Sequence, residues 1–164
     1  MAEGIIIEEG YQFGLEGLSP GKGPYSWFSR STSQVPAVNW EYFPQVAEYV
    51  RLSRVAARHD LRLAFEDELM DLALYREDKL VVCCEVKEKS AQLGRLLQGI
   101  MTYESGIDWD APDRGNDPLR KAKYLSEKRP EYFYLMSIGA RREFAVSFPD
   151  GRAFELIETL IPYL

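Results

Sequence analysis

The most hydrophobic run of the chain, "KLVVCCEVK" (79–87), is apolar on both faces until an acid and a base appear near its end. Such a run, bounded by polar turns, predicts a strand buried on both sides. Two further strand patterns precede it. "LRLAFEDE" (61–68) alternates Leu61, Leu63 and Phe65 with polar residues, and "LMDLALY" (69–75) is apolar except for Asp71. The short polar "REDK" joins the second and third runs, which predicts an antiparallel hairpin inside a sheet.

Helical spacing flanks these strands. Residues 40–59 place Tyr42, Val46, Tyr49, Val50 and Ala57 on one expected stripe, with Pro44 tolerated in the first turn. Ser90 is positioned as an N-cap for a helix over 91–104, with Leu93, Leu96, Leu97, Ile100 and Met101 on its apolar side. The breaker-rich stretch 105–118 predicts a loop, and 119–130 a short basic helix. Strands are expected at 132–139 and 143–148, then a turn at "PDGR" and a terminal helix over 153–164. Residues 1–39 are rich in Gly, Pro and Ser but carry Tyr25, Trp27 and Phe28. They predict an arm packed on the domain, with an edge strand or hairpin at "GIIIEEGYQFGL". The chain of 164 residues suits one domain, with an arm at 1–39 and a core at 40–164.

Composition narrows the function. Apolar residues make up 46% and charged residues 28%, the balance of a globular domain. No apolar run approaches the ~20 residues of a membrane span, and no secretory signal pattern opens the chain, so a cytoplasmic protein without membrane contact is expected. Cys83 and Cys84 are adjacent in a core strand, should face opposite sides, and read as reduced. The net charge of −6 argues against broad, nonspecific nucleic-acid binding. The single histidine, His59, sits at a predicted helix end. Ser–His and Cys–His mechanisms therefore lack a well-placed base, and no Cys/His set has zinc spacing.

The remaining chemistry lies at Asp71, Glu85 and Lys87. A carboxylate inside an apolar strand needs a partner, a proton or a metal. Glu85 and Lys87, two apart on a strand, share a face. A hard cation takes one or two carboxylates plus water and phosphate oxygens, and a neighbouring lysine can orient a water or stabilise charge on phosphate. One condition follows from strand geometry. A regular hairpin with a two-residue loop pairs Asp71 with Cys84, so Asp71 and Glu85 share a site only if a bulge or an odd loop shifts the register.

The segment "LMDLALYREDKLVVCCEVKEKSAQLGRLL" resembles the PD-(D/E)XK nuclease superfamily: an Asp in one strand, a tight hairpin, an apolar strand ending in Glu-x-Lys, then a helix. Met70 stands where the name-giving pattern has proline. The resemblance implies an α/β fold with a restriction-endonuclease-like core of helix, three strands, helix and strand over roughly 40–140. It implies a Mg²⁺-dependent nuclease, with Mn²⁺ as a substitute, that hydrolyses DNA phosphodiesters. Asp71 and Glu85 would be metal ligands and Lys87 the catalytic lysine. Gln92 matches a helix glutamine of some branches, although Leu96 stands where those branches carry tyrosine. Glu48, with Glu41 as second choice, is the candidate first-helix acid, and Asp67 or Glu68 could fill that role instead. Arg120, Lys121 and Lys123 suggest a backbone-tracking patch or a solvated helix face. The competing reading is a catalytically inactive module of the same fold, binding protein or nucleic acid in a larger assembly. A homodimer is compatible with either.

Overall fold

The computed structural model describes residues 4–18, 22–29, 35–149, 151 and 153–164. Within them lie three helices and two sheets. A small antiparallel sheet is formed by β1 (Ile6–Glu9), β2 (Gln12–Leu15) and β3 (Tyr25–Ser26). After α1 (Tyr42–His59), a six-stranded sheet runs in the order β4 (Arg62–Asp67), β5 (Met70–Arg76), β6 (Lys79–Val86), β7 (Tyr132–Ser137), β8 (Ala140–Ser147) and β9 (Glu155–Glu158). All neighbours are antiparallel except β6 and β7, which are parallel. Parallel neighbours need a long crossover, and here it contains α2 (Ser90–Met101) and α3 (Asp117–Lys128).

The large sheet is covered on both sides. On one, Leu72, Leu74, Cys84 and Val86 meet α1, the arm and the C-terminal Ile161. On the other, Ala73, Leu80 and Cys83 meet α2 and α3. Cys83 and Cys84 therefore face opposite cores, as the alternation requires, and both are buried free thiols. The arm is docked through Phe13, which is fully buried and stacks on Trp27 with ring centroids 4.1 Å apart. It forms its own sheet and does not extend the large one.

One irregularity in β6 positions the site. Arg76 pairs with Lys79 and Tyr75 with Leu80, but Leu74 pairs with Val82 and Leu72 with Cys84. Val81 is the extra residue of a β-bulge, and consecutive Val81 and Val82 both join the α1-side core. Beyond the bulge the register has moved by one, so its continuation sets Asp71 opposite Glu85 and no longer opposite Cys84.

Several expectations are corrected. The terminal segment 153–164 is not a helix. It supplies β9, pairing Leu156 with Val146 and Ile157 with Ala145, where a sheet edge was open to it. The N-cap of α2 is Lys89, with extended backbone, and Ser90 is already helical. The buried stripe of α1 is rotated from the predicted one: Ala57 is exposed, and Gln45, Glu48, Leu52 and Val55 join Val46 and Tyr49 inside.

Candidate functional site

At the end of β6, three elements bring charged groups together. Asp71 Oδ2 accepts the backbone N–H of Val86 at 2.6 Å, which locks the two strands at the shifted register. Glu85, only 2% exposed, is held between two ammonium groups. Lys87 Nζ lies 2.7 Å from its Oε1, and Lys121 Nζ, from α3, lies 2.5 Å from its Oε2. Lys121 also donates to the Leu69 carbonyl. Lys87 makes a second ion pair, at 3.2 Å, with Glu41 at the start of α1.

The electrostatics follow from burial and crowding. Burial lifts the Asp71 carboxyl well above the usual range, and the nearby Glu85 charge lifts it further. Burial also raises Glu85, against the pull of Lys121 and Lys87. For Lys87, burial disfavours the ammonium, but the Glu85 carboxylate more than offsets it and holds the group above the ordinary lysine range. The ammonium form of Lys87 is thus favoured.

Solvent reaches the cluster through two clefts that share Asp71. One, of about 420 Å³, is lined by Glu41, Gln45, Glu66, Glu88 and Trp40 besides Asp71. The other, of about 200 Å³, is lined by Leu69, Asp117, Arg120 and Lys121 besides Asp71. A third, beside Lys87, is lined by Gln92 and Arg95.

The structure thus brings together Asp71, Glu85 and Lys87 as expected and adds Glu41, the second choice for the helix acid. Glu48 is elsewhere engaged. Its carboxylate binds Arg51 at 2.6 Å, Arg141 at 2.9 Å and the Tyr134 hydroxyl at 2.8 Å, and these donors hold its pKa down against burial. Asp67 accepts from the Tyr75 hydroxyl, and Glu68, on the wall of the smaller cleft, pairs with Lys128. The Gln92 side chain accepts the Lys89 N–H at 2.9 Å, capping α2. The basic helix does not present one outward patch. Lys121 is buried at Glu85, Lys123 donates to the Trp109 and Ala111 carbonyls, and Arg120 lines the smaller cleft.

The sequence reading took Lys121 for part of a basic patch and missed its buried place at Glu85, and it passed over Glu66 altogether. Lys121 lies on the buried stripe of α3 with Leu119, Ala122, Tyr124 and Leu125, a lysine at core spacing. That spacing was the available signal. Glu66 falls opposite Asp71 between the Phe65–Leu72 and Asp67–Met70 pairs. It has φ 51°, in the left-handed region that glutamate rarely adopts, and accepts from Gln45 Nε2 at 2.8 Å. No sequence pattern announces that backbone conformation.

Among the described residues, no three His, Cys, Asp or Glu side chains gather into a metal-holding group, and no helix is long and apolar enough to cross a membrane. No family model matches the chain, and no curated protein or solved structure matches it significantly.

Proposed function

We propose that the protein is a metal-dependent nuclease acting on DNA phosphodiesters, with a restriction-endonuclease-like core similar to that of the PD-(D/E)XK superfamily. One observation carries the reading: the Val81 bulge turns the register so that Asp71 faces Glu85, with Lys87 on the same carboxylate. The order α1, β4–β5–β6, α2, α3, β7, with β7 parallel to β6, supports it as well, α3 being an addition to the expected core.

The donor set fits a hard cation such as Mg²⁺ or Mn²⁺. Two carboxylates on adjacent strands, each with its pKa raised by burial, form a pair that a cation would relieve. Asp71 and Glu85 would hold it. A divalent ion there supplies Lewis acidity and a water of lowered pKa. The protein's own groups do the rest. Lys87, kept protonated by Glu85, stabilises negative charge building on phosphate. Glu41 fixes the direction of the Lys87 side chain. Arg120 and Arg95, on the cleft walls, offer cations to the flanking backbone.

A specific observation favours the second reading, an inactive binding module. Both oxygens of Glu85 already carry ammonium partners, so the charge of the site is compensated from within. Incubation with linear, circular, single-stranded and branched DNA in Mg²⁺ or Mn²⁺ separates the two. Cutting that EDTA and Lys87→Ala both abolish supports the nuclease. No cutting in either metal, with no metal bound, leaves the module.

A further inference from the structure

Lys121 is a lysine placed where a core residue belongs. It is 6% exposed and lies on the face of α3 that packs into the sheet core. A buried ammonium is tolerated only when paired, and its partners here are a carboxylate oxygen of Glu85 and the main-chain carbonyl oxygen of Leu69. Carboxylate and carbonyl oxygens are also the donors that a hard divalent cation takes.

We propose that Lys121 is a built-in cation of this site, which competes with a divalent ion for Glu85 and so sets how tightly that ion binds. The inference rests on the reading of Asp71 and Glu85 as cation ligands. Lys87 is not the competitor. It approaches the other oxygen of Glu85, keeps Glu41 as a second partner, and opens onto the cleft of Gln92 and Arg95, which Asp71 does not line. Lys121 lines the smaller of the two clefts that reach Asp71, and its ammonium holds the Glu85 oxygen that Lys87 leaves free. The same cleft is also lined by Glu66 and Asp117, which keep its wall acidic around the Lys121 ammonium. If Lys121 holds Glu85 in about nine molecules of ten, the apparent dissociation constant for the ion rises about tenfold.

The test is calorimetric titration of Mn²⁺ into the wild type, Lys121→Met and Lys121→Arg. Methionine suits the buried stripe and leaves Glu85 with Lys87, whereas arginine keeps the charge. The expected result is binding roughly tenfold or more tighter in Lys121→Met, with Lys121→Arg close to wild type. Wild-type binding that Lys121→Met does not tighten overturns the inference and leaves the metal reading standing. No binding by any of the three overturns both. Binding by Lys121→Met alone supports the inference and refutes a metal-loaded wild-type nuclease. A second measurement needs no variant: amine acylation of the wild type, read by mass spectrometry. Lys121 should be shielded without Mn²⁺ and labelled with it. Labelling that ignores bound Mn²⁺ overturns the proposal.

Discussion

Val86 donates its backbone N–H to Asp71 Oδ2 at 2.6 Å, across two strands whose register has been shifted by one residue at Val81. The bond ties the acid of β5 to the end of β6, immediately beyond Glu85. It also holds Asp71 where its charge is least welcome, partly buried and facing another carboxylate.

That placement sets a pH dependence. An unfolded Asp ionises near about pH 4, and folded Asp71 ionises well above its ordinary value. Between the two, the folded state binds more protons, so this group's contribution to stability falls as pH rises through the window. Asp71→Asn removes the effect while still accepting from Val86. Its Tm should equal or exceed that of the wild type near neutral pH, by about 2–4 °C for each kcal/mol of relieved repulsion, and the advantage should shrink towards pH 4. Thermal melts across pH 4–8 check this.

In the proposed nuclease Lys87 serves as a fixed positive charge, the form that the Glu85 carboxylate favours. Lys87→Met should lower the cleavage rate roughly 100-fold or more, the usual effect of losing one charge-stabilising donor. Lys87→Arg should retain measurable cutting. Single-turnover rates of the two variants distinguish this role from proton abstraction, which arginine cannot perform.

Glu48 serves the fold. Its carboxylate joins Arg51, Arg141 and Tyr134 beneath α1. Glu48→Ala should destabilise the protein by about 3 kcal/mol, the low end for a broken buried ion network, because both arginines keep some solvent contact. Mn²⁺ affinity measured on the folded variant should not change. Urea unfolding and calorimetry give the two numbers.

Gly99 lets α2 and α3 approach closely. A Cβ at this position would come within 2.7 Å of Pro118 Cγ. Gly99→Ala should push α3 outward and cost about 1–3 kcal/mol, as overpacking does. Because α3 carries Lys121, the same change should raise Lys121 labelling by amine reagents.

The sequence made the Asp71, Glu85 and Lys87 set legible because acids and bases are conspicuous in apolar strands. The strands β4 to β8 were legible for a related reason: continuous or alternating apolar runs between polar turns. The bulge was foreseeable only as a requirement of the chemistry. Val81, Val82, Cys83 and Cys84 are all apolar, so a strand buried on both faces hides which residue is extra. Strand β9 was hidden because "ELIE" is short and fits a helix as well as a sheet edge, and only the open edge of β8 decides. Glu41 was outranked by Glu48 because helical spacing does not reveal that Lys87 meets α1 at its first turn. Lys121 was read with Arg120 and Lys123 as one basic cluster, although successive helical residues point in different directions.

In the proposed site, Asp71 and Glu85 would share a divalent cation. Crystals soaked in Mn²⁺ and measured at an anomalous wavelength test this most directly. One strong peak is expected between the two carboxylates, lost in Asp71→Asn crystals, with Lys121 displaced from Glu85. A featureless map at that position under millimolar Mn²⁺, with Lys121 still on Glu85, would contradict it.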